Sequence, residues 1–315
     1  VTFGVRLAVV ALSTFALAST AGSVVAALSA RRRRADSPAA HARVLFRLRI
    51  LPATVALAAM TQGILSFVVF EPRSEQEAIG VVLTTLAAAG VALYALAMAR
   101  WARVTMATNR VLRTWMRTAT PIVLPGVEVP SFAIDVAFPV VAVVGILRPR
   151  VVVARQVLTQ SSPAELRAIV AHERRHLENR DNLRRALMAC LPDPLSIARL
   201  GERLTERWHD ATEQAADDAS GEHSPNGRCD LAAALLNVAR LAAGQPAVSL
   251  PASALYRGED LERRVRRLVC SPPSPPLPKA SVIHRVAGST SLLLAAGLAL
   301  HAMHEVVEAA VTLLP

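Results

Sequence analysis

Lysine is almost missing from this chain: Lys279 is the only one, so nearly all of the 35 basic residues are arginine. Aromatic residues are scarce as well, at 4%. Without aromatics among the basic residues there is no stacking platform for single-stranded nucleic acid. The excess of 35 basic over 24 acidic residues therefore reads as orientation signals and solvated faces, and no direct nucleic-acid partner is expected. Cysteine is limited to Cys190, Cys229 and Cys270, an odd number, far apart and in no metal spacing. That excludes a disulfide framework and suits a reducing compartment.

Charge is also missing from whole stretches. Hydrophobic residues make up 53% of the chain, and they fall in blocks at about 7–29, 51–70 and 79–98. Each reaches the roughly 20 residues needed to cross about 30 Å of hydrocarbon. A weaker fourth block, Val286 to about Met303 within 281–315, has Gly288 and Ser289 to allow close helix contact. His301, Met303 and His304 at its end read as interfacial side chains. The basic loop 30–50 carries Arg31 to Arg34, Arg43, Arg47 and Arg49, and Arg100, Arg103, Arg110, Arg113 and Arg117 follow the third block. By the positive-inside rule both lie in the cytoplasm and the N-terminus lies outside. The first block follows one arginine and precedes four, the reverse of a secretory signal, so it reads as a retained anchor.

The expected fold class is thus a mainly α membrane protein with about four transmembrane helices and a cytoplasmic α+β domain, residues 101–280, between the third and fourth. Trp101 to Arg117 reads as a basic amphipathic helix, either membrane-adjacent or simply surface-lying. From Pro121 to Val157 short β-branched runs (Val127–Val129, Val140–Val144, Val151–Val153) predict a small sheet. Ser162, Pro163 and Glu165 are a capping box with proline at the first helical position. Leu166, Ile169, Val170, Leu177, Leu183 and Leu187 continue at helical spacing. Ser271 to Pro278, with five prolines, reads as a stiff linker.

The predicted helix carries His172-Glu173-Arg174-Arg175-His176. His172 and His176 are one turn apart and share a face; Glu173 is rotated about 100° from His172. Two histidines that bind Zn2+ and a glutamate that takes a proton from water are the parts of a zinc hydrolase. Glu213 is the expected third ligand, in a helical segment from Leu204 to Ala219, with Asp217 one turn on to receive a hydrogen bond from a ligating histidine. His209, one turn before Glu213, is the rival. Arg174 and Arg175 point away from the ligand face.

Together, three apolar crossings, a small sheet, the His172–His176 motif followed by Glu178-Asn179-Arg180-Asp181, Glu213-Gln-Ala-Ala-Asp217 and a last crossing resemble the BlaR/MecR-type family of bacterial membrane zinc peptidases. The resemblance covers nearly the whole chain. It implies a zincin-like metallopeptidase domain in which His172, His176 and Glu213 bind zinc, Glu173 is the general base, Asp217 supports a histidine, and Asp181 matches a common acidic position of open role. It also implies a protein or peptide substrate, the chain itself included, and a winged-helix repressor as candidate partner. The sensing members carry a penicillin-binding domain after the last crossing; this sequence stops at Pro315, so no beta-lactam-binding domain is expected in this chain. A second group of membrane zinc peptidases shares the ligand set but commonly inserts crossings before the third ligand, where Leu177 to Thr212 is too charged to hold one. The alternative from a different class is a membrane signalling or scaffold protein whose zinc site is structural or inactive.

Overall fold

A computed structural model describes residues 1–32, 37–71, 78–222, 224, 226–243 and 261–271. The fourth apolar block, the proline-rich linker, Lys279, His301, Met303 and His304 lie outside the described residues. Helices α1 (Phe3–Arg32), α2 (Pro38–Phe70) and α3 (Val81–Trp115) come first, and each contains a stretch long and apolar enough to cross a membrane. They touch where side chains are smallest. A Cβ on Gly22 of α1 would come within 2.9 Å of Pro52 Cα in α2, and one on Gly90 of α3 within 2.7 Å of the Leu12 carbonyl in α1.

Two helices exceed their apolar blocks. The Ser37 side chain accepts from the Ala40 N–H and Pro38 supplies the first turn, so most of the expected basic loop 30–50 is the start of α2. Likewise α3 runs unbroken to Trp115, which makes the basic stretch from Trp101 its far end, with no separate helix there.

A four-stranded mixed sheet follows: β1 (Thr120–Ile122), β2 (Ser131–Ile134), β3 (Val141–Val144) and β4 (Arg150–Ala154), in the order β1-β2-β4-β3. Strands β2 and β4 are parallel and the other two pairs antiparallel. Val127–Val129 is not a strand. It is confined between a turn at Gly126, whose φ is +77°, and Pro130, which has no N–H to give a ladder. Strand β3 forms one edge of the sheet, fully buried along its length.

After α4 (Arg155–Gln160) the capping box forms as expected. Glu165 N–H donates to Ser162 Oγ at 3.2 Å and Ser162 N–H to Glu165 Oε2 at 2.7 Å, starting α5 (Pro163–Glu178). The helix does not continue to Leu187. Arg180 takes a left-handed φ of 51°, and α6 (Asp181–Ala189) leaves in a new direction. A turn at Pro194–Ser196, then α7 (Arg199–Ala219), α8 (Gly227–Ala242) and α9 (Leu261–Cys270) complete the described chain.

Two apolar cores build the described fold. One joins β3 and β4 to Ile169 of α5, Leu231 and Leu235 of α8 and Leu268 of α9. The other joins Leu45 and Leu48 of α2 to Leu204, Trp208 and Ala211 of α7, so the membrane helices pack directly on the domain. Two arginines tie them in place. Arg49 of α2 donates to Asp193 Oδ2 at 2.9 Å, to the Met188 carbonyl and to Ser196 Oγ, and Arg100 of α3 donates to the Leu191 carbonyl at 2.7 Å. Neither is the solvated charge that the loop pattern suggested.

Candidate metal centre

The sequence motif sets the first two positions. One turn apart on a capped helix, His172 and His176 are 0% and 5% exposed, and their Nε2 atoms face each other at 3.2 Å. Glu213 arrives from α7, whose apolar side packs on α2 through Leu204, Trp208 and Ala211. Its carboxylate lies 3.6 Å from His172 Nε2 and 3.5 Å from His176 Nε2. Donor atoms of His172, His176 and Glu213 all fall within 4.8 Å of one another. Among the described residues His209 is outside this group; its Nδ1 is 3.8 Å from Glu213 Oε1 and 3.3 Å from Arg185.

The other ring nitrogens meet carboxylates. His176 Nδ1 is 2.8 Å from Asp181 Oδ2, and the left-handed turn at Arg180 is what returns Asp181 to that ring. His172 Nδ1 is 3.1 Å from Asp217 Oδ1, close but poorly aligned. An ionised carboxylate can only accept, so the proton of each neutral ring belongs on Nδ1 and the lone pair on Nε2. When both rings are neutral, two lone pairs point at each other beside a carboxylate.

Glu173 lies beside this cluster, 1% exposed. Its Oε2 accepts from the Val143 N–H of edge strand β3 at 3.0 Å. Asn182, just inside α6, donates to the Val143 carbonyl at 2.9 Å and to that of Gly145 at 3.2 Å. The strand edge and the motif are thus joined residue by residue. Arg174 and Arg175, each half-buried, pair with Glu178.

Sequence reading missed Arg264. This α9 residue, 7% exposed, donates to Asp217 through Nε at 3.0 Å and Nη2 at 2.5 Å. Its Nη1 is 3.2 Å from Glu213 Oε2. A signal existed: in Leu261–Cys270, Leu261, Arg264, Val265 and Leu268 recur at helical spacing, which puts Arg264 on the apolar stripe.

Protonation follows from this crowding. Burial disfavours a charged His172, but Asp217 and Glu213 outweigh it and push its pKa up to about 9. Burial would also favour neutral acids at Glu213 and Asp217. His172 and Arg264 reverse this and hold both below the usual carboxylate range. For Glu173 burial wins and raises the pKa, against the pull of both rings and of the Val143 N–H.

The donor set fits a cation. Glu173 Oε1 and Glu213 Oε1 are buried and make no hydrogen bond, although buried acceptors are nearly always satisfied. Surplus acceptors converging with two imidazole lone pairs are what a metal ion relieves. Two imidazoles and a carboxylate suit zinc and leave a coordination position open. A cavity of about 20 Å³ borders His209, Glu213 and Arg264, room for about one water. A larger groove of about 900 Å³ passes the end of β3, lined by Trp101 and Leu112 of α3, Met116 just after it, Gly145, and Leu183 and Leu187 of α6.

Comparison with known proteins agrees with this geometry. Residues 71–268, from the end of α2 to Leu268 of α9, match the family model described as BlaR1 peptidase M56. No curated protein and no solved structure matches the chain.

Proposed function

This chain belongs to the BlaR1 peptidase M56 family, and from that premise we propose that it is an integral-membrane zinc endopeptidase with a regulatory signalling role. The observation that carries the reading is the pair of Nε2 atoms 3.2 Å apart facing Glu213, with an acceptor-only carboxylate behind each ring. His172, His176 and Glu213 hold the ion, and Asp217 and Asp181 orient the two histidines. Bound zinc supplies Lewis-acid activation of water and of the scissile carbonyl.

The protein's own groups do the rest. Glu173 takes the proton of the attacking water and passes it to the leaving amine, a transfer that its raised pKa favours. The substrate lies beside Glu173, past the end of β3, because the Val143 N–H and carbonyl on the outer edge of that strand are already held by Glu173 and Asn182. The groove at the end of that strand takes flanking apolar side chains. The substrate is a cytoplasmic protein or the chain itself, with a winged-helix repressor as candidate on the family resemblance. The arginines around α2 and α3 support a zincin-like domain in the cytoplasm with the N-terminus outside.

The test pairs metal content with cleavage. Detergent-purified protein should carry one zinc per chain, lost in Glu213→Ala. Glu173→Gln should keep the zinc and cleave a peptide library at least about 100-fold more slowly, the usual contribution of a general base. Cleavage at the wild-type rate in Glu173→Gln rejects the mechanism, and a wild type that takes up no zinc favours a scaffold.

A further inference from the structure

We propose that Arg264 is a positioning residue of this metal centre: from outside the ligand set it fixes the two carboxylates of α7 that face His172. The inference rests on the zinc-site reading above and extends it to α9, an element the motif does not include.

The geometry is specific. Arg264 presents two N–H groups to the two oxygens of Asp217, at 3.0 and 2.5 Å, the planar fork that suits a carboxylate. Asp217 is wholly buried and its Oδ1 is the atom facing His172 Nδ1 at 3.1 Å. The third guanidinium nitrogen stands 3.2 Å from Glu213 Oε2. One side chain thus sets the rotamers of a ligand and of the carboxylate behind another ligand. His176 needs no such clamp, because Asp181 follows five residues later and the chain itself positions it.

Arg264 is itself held independently of these bonds. Leu268 is buried in the domain core, and Arg267 meets Asp218 at 2.6 Å. Arg228 of α8 donates to the Leu268 and Arg267 carbonyls at 3.2 and 2.8 Å. Helix α9 therefore remains docked without Arg264. What disappears with the guanidinium is the constraint on Asp217, and through it the orientation of the His172 ring. Replacement by lysine keeps the charge but not the fork.

The experiment measures zinc affinity of the full chain in detergent by competition with a chelator, and the visible absorption of the cobalt-substituted protein, whose bands report coordination geometry. Arg264→Met should bind zinc about 10–100-fold more weakly, the usual effect of losing a group that orients a ligand, with altered cobalt bands. Arg264→Lys should fall between Met and wild type. Arg267→Met, which removes an anchor of α9 on Asp218 and on the Gln214 carbonyl, should match wild type in both readouts. If Arg264→Met does not fold, the lysine variant decides: weaker zinc binding with altered bands supports the assignment, and wild-type behaviour overturns it. Equal affinity in Arg264→Met and wild type overturns it, as does an equal loss in Arg267→Met. A wild type that takes up no zinc overturns the metal-site reading itself, and this inference with it.

Discussion

Two buried arginine–aspartate pairs, Arg49–Asp193 and Arg264–Asp217, look alike at first sight. Each arginine sits on the apolar stripe of a helix, each aspartate is 0% exposed, and each pair joins distant segments. Their surroundings differ in the balance of donors and acceptors. Asp193 accepts from Arg49, from the Ser196 N–H and from Ser196 Oγ, while Arg49 keeps one buried Nε without an acceptor. Around Asp217 the surplus is of the other kind, with Oε1 of both Glu173 and Glu213 buried and making no hydrogen bond. A closed pair fastens helices together. An open one, rich in acceptors and imidazole lone pairs, calls for a cation. Buried charge alone does not mark function; the unbalanced side of it does.

That contrast can be broken or sharpened by experiment. The largest effect is expected at the hook: Arg49→Ala leaves Asp193 buried without its cation and should cost about 3–5 kcal/mol, read by chemical denaturation in detergent. Zinc affinity of the remaining folded protein should not change, and a parallel loss of affinity would show the two pairs to be one network. Next comes Asp181→Asn, which should weaken zinc binding about 10–100-fold with little change in the denaturation midpoint. A variant of wild-type affinity would remove Asp181 from the site.

Acidity gives a third comparison. A protonated His172 cannot bind an ion, and its pKa is pushed up to about 9. Apparent zinc affinity should therefore rise with pH, by at most about tenfold per unit, and level off above about 9. Chelated protein should show the opposite trend. Its stabilisation by His172 is complete below the unfolded value of about 6.5 and is lost as pH climbs through about 9. Chelator titrations and melts across that window check both slopes, and the Arg49 pair should contribute to neither. Smallest is Ser162→Ala, about 1 kcal/mol from one lost cap, with zinc affinity preserved since the motif lies more than two turns further on.

The legible parts of this protein are those encoded by local pattern. The His172–His176 motif, its capped start and three apolar spans depend on spacing within one helix, and each is visible in a window of about twenty residues. Glu213 was readable as a candidate because it shares a short helical segment with Asp217, yet His209 on the same segment competed with it. The end of α5 was misjudged because Leu183 and Leu187 keep the apolar period across a break that one left-handed residue, Arg180, makes. Val127–Val129 had strand-forming residues but too little chain between Gly126 and Pro130.

The sequence by itself therefore determined a capped helix with two histidines on one face, and apolar segments of crossing length, because both follow from periodicity along the chain. Only the tertiary structure decided which carboxylates reach those histidines. Glu213 and Arg264 approach from helices whose placement depends on packing against two cores, and Asp181 returns through a turn. It also decided that Arg49 is a buried hook and Arg264 part of the site. Those roles depend on which acceptors are left unsatisfied once the helices have packed, a balance that no stretch of sequence contains.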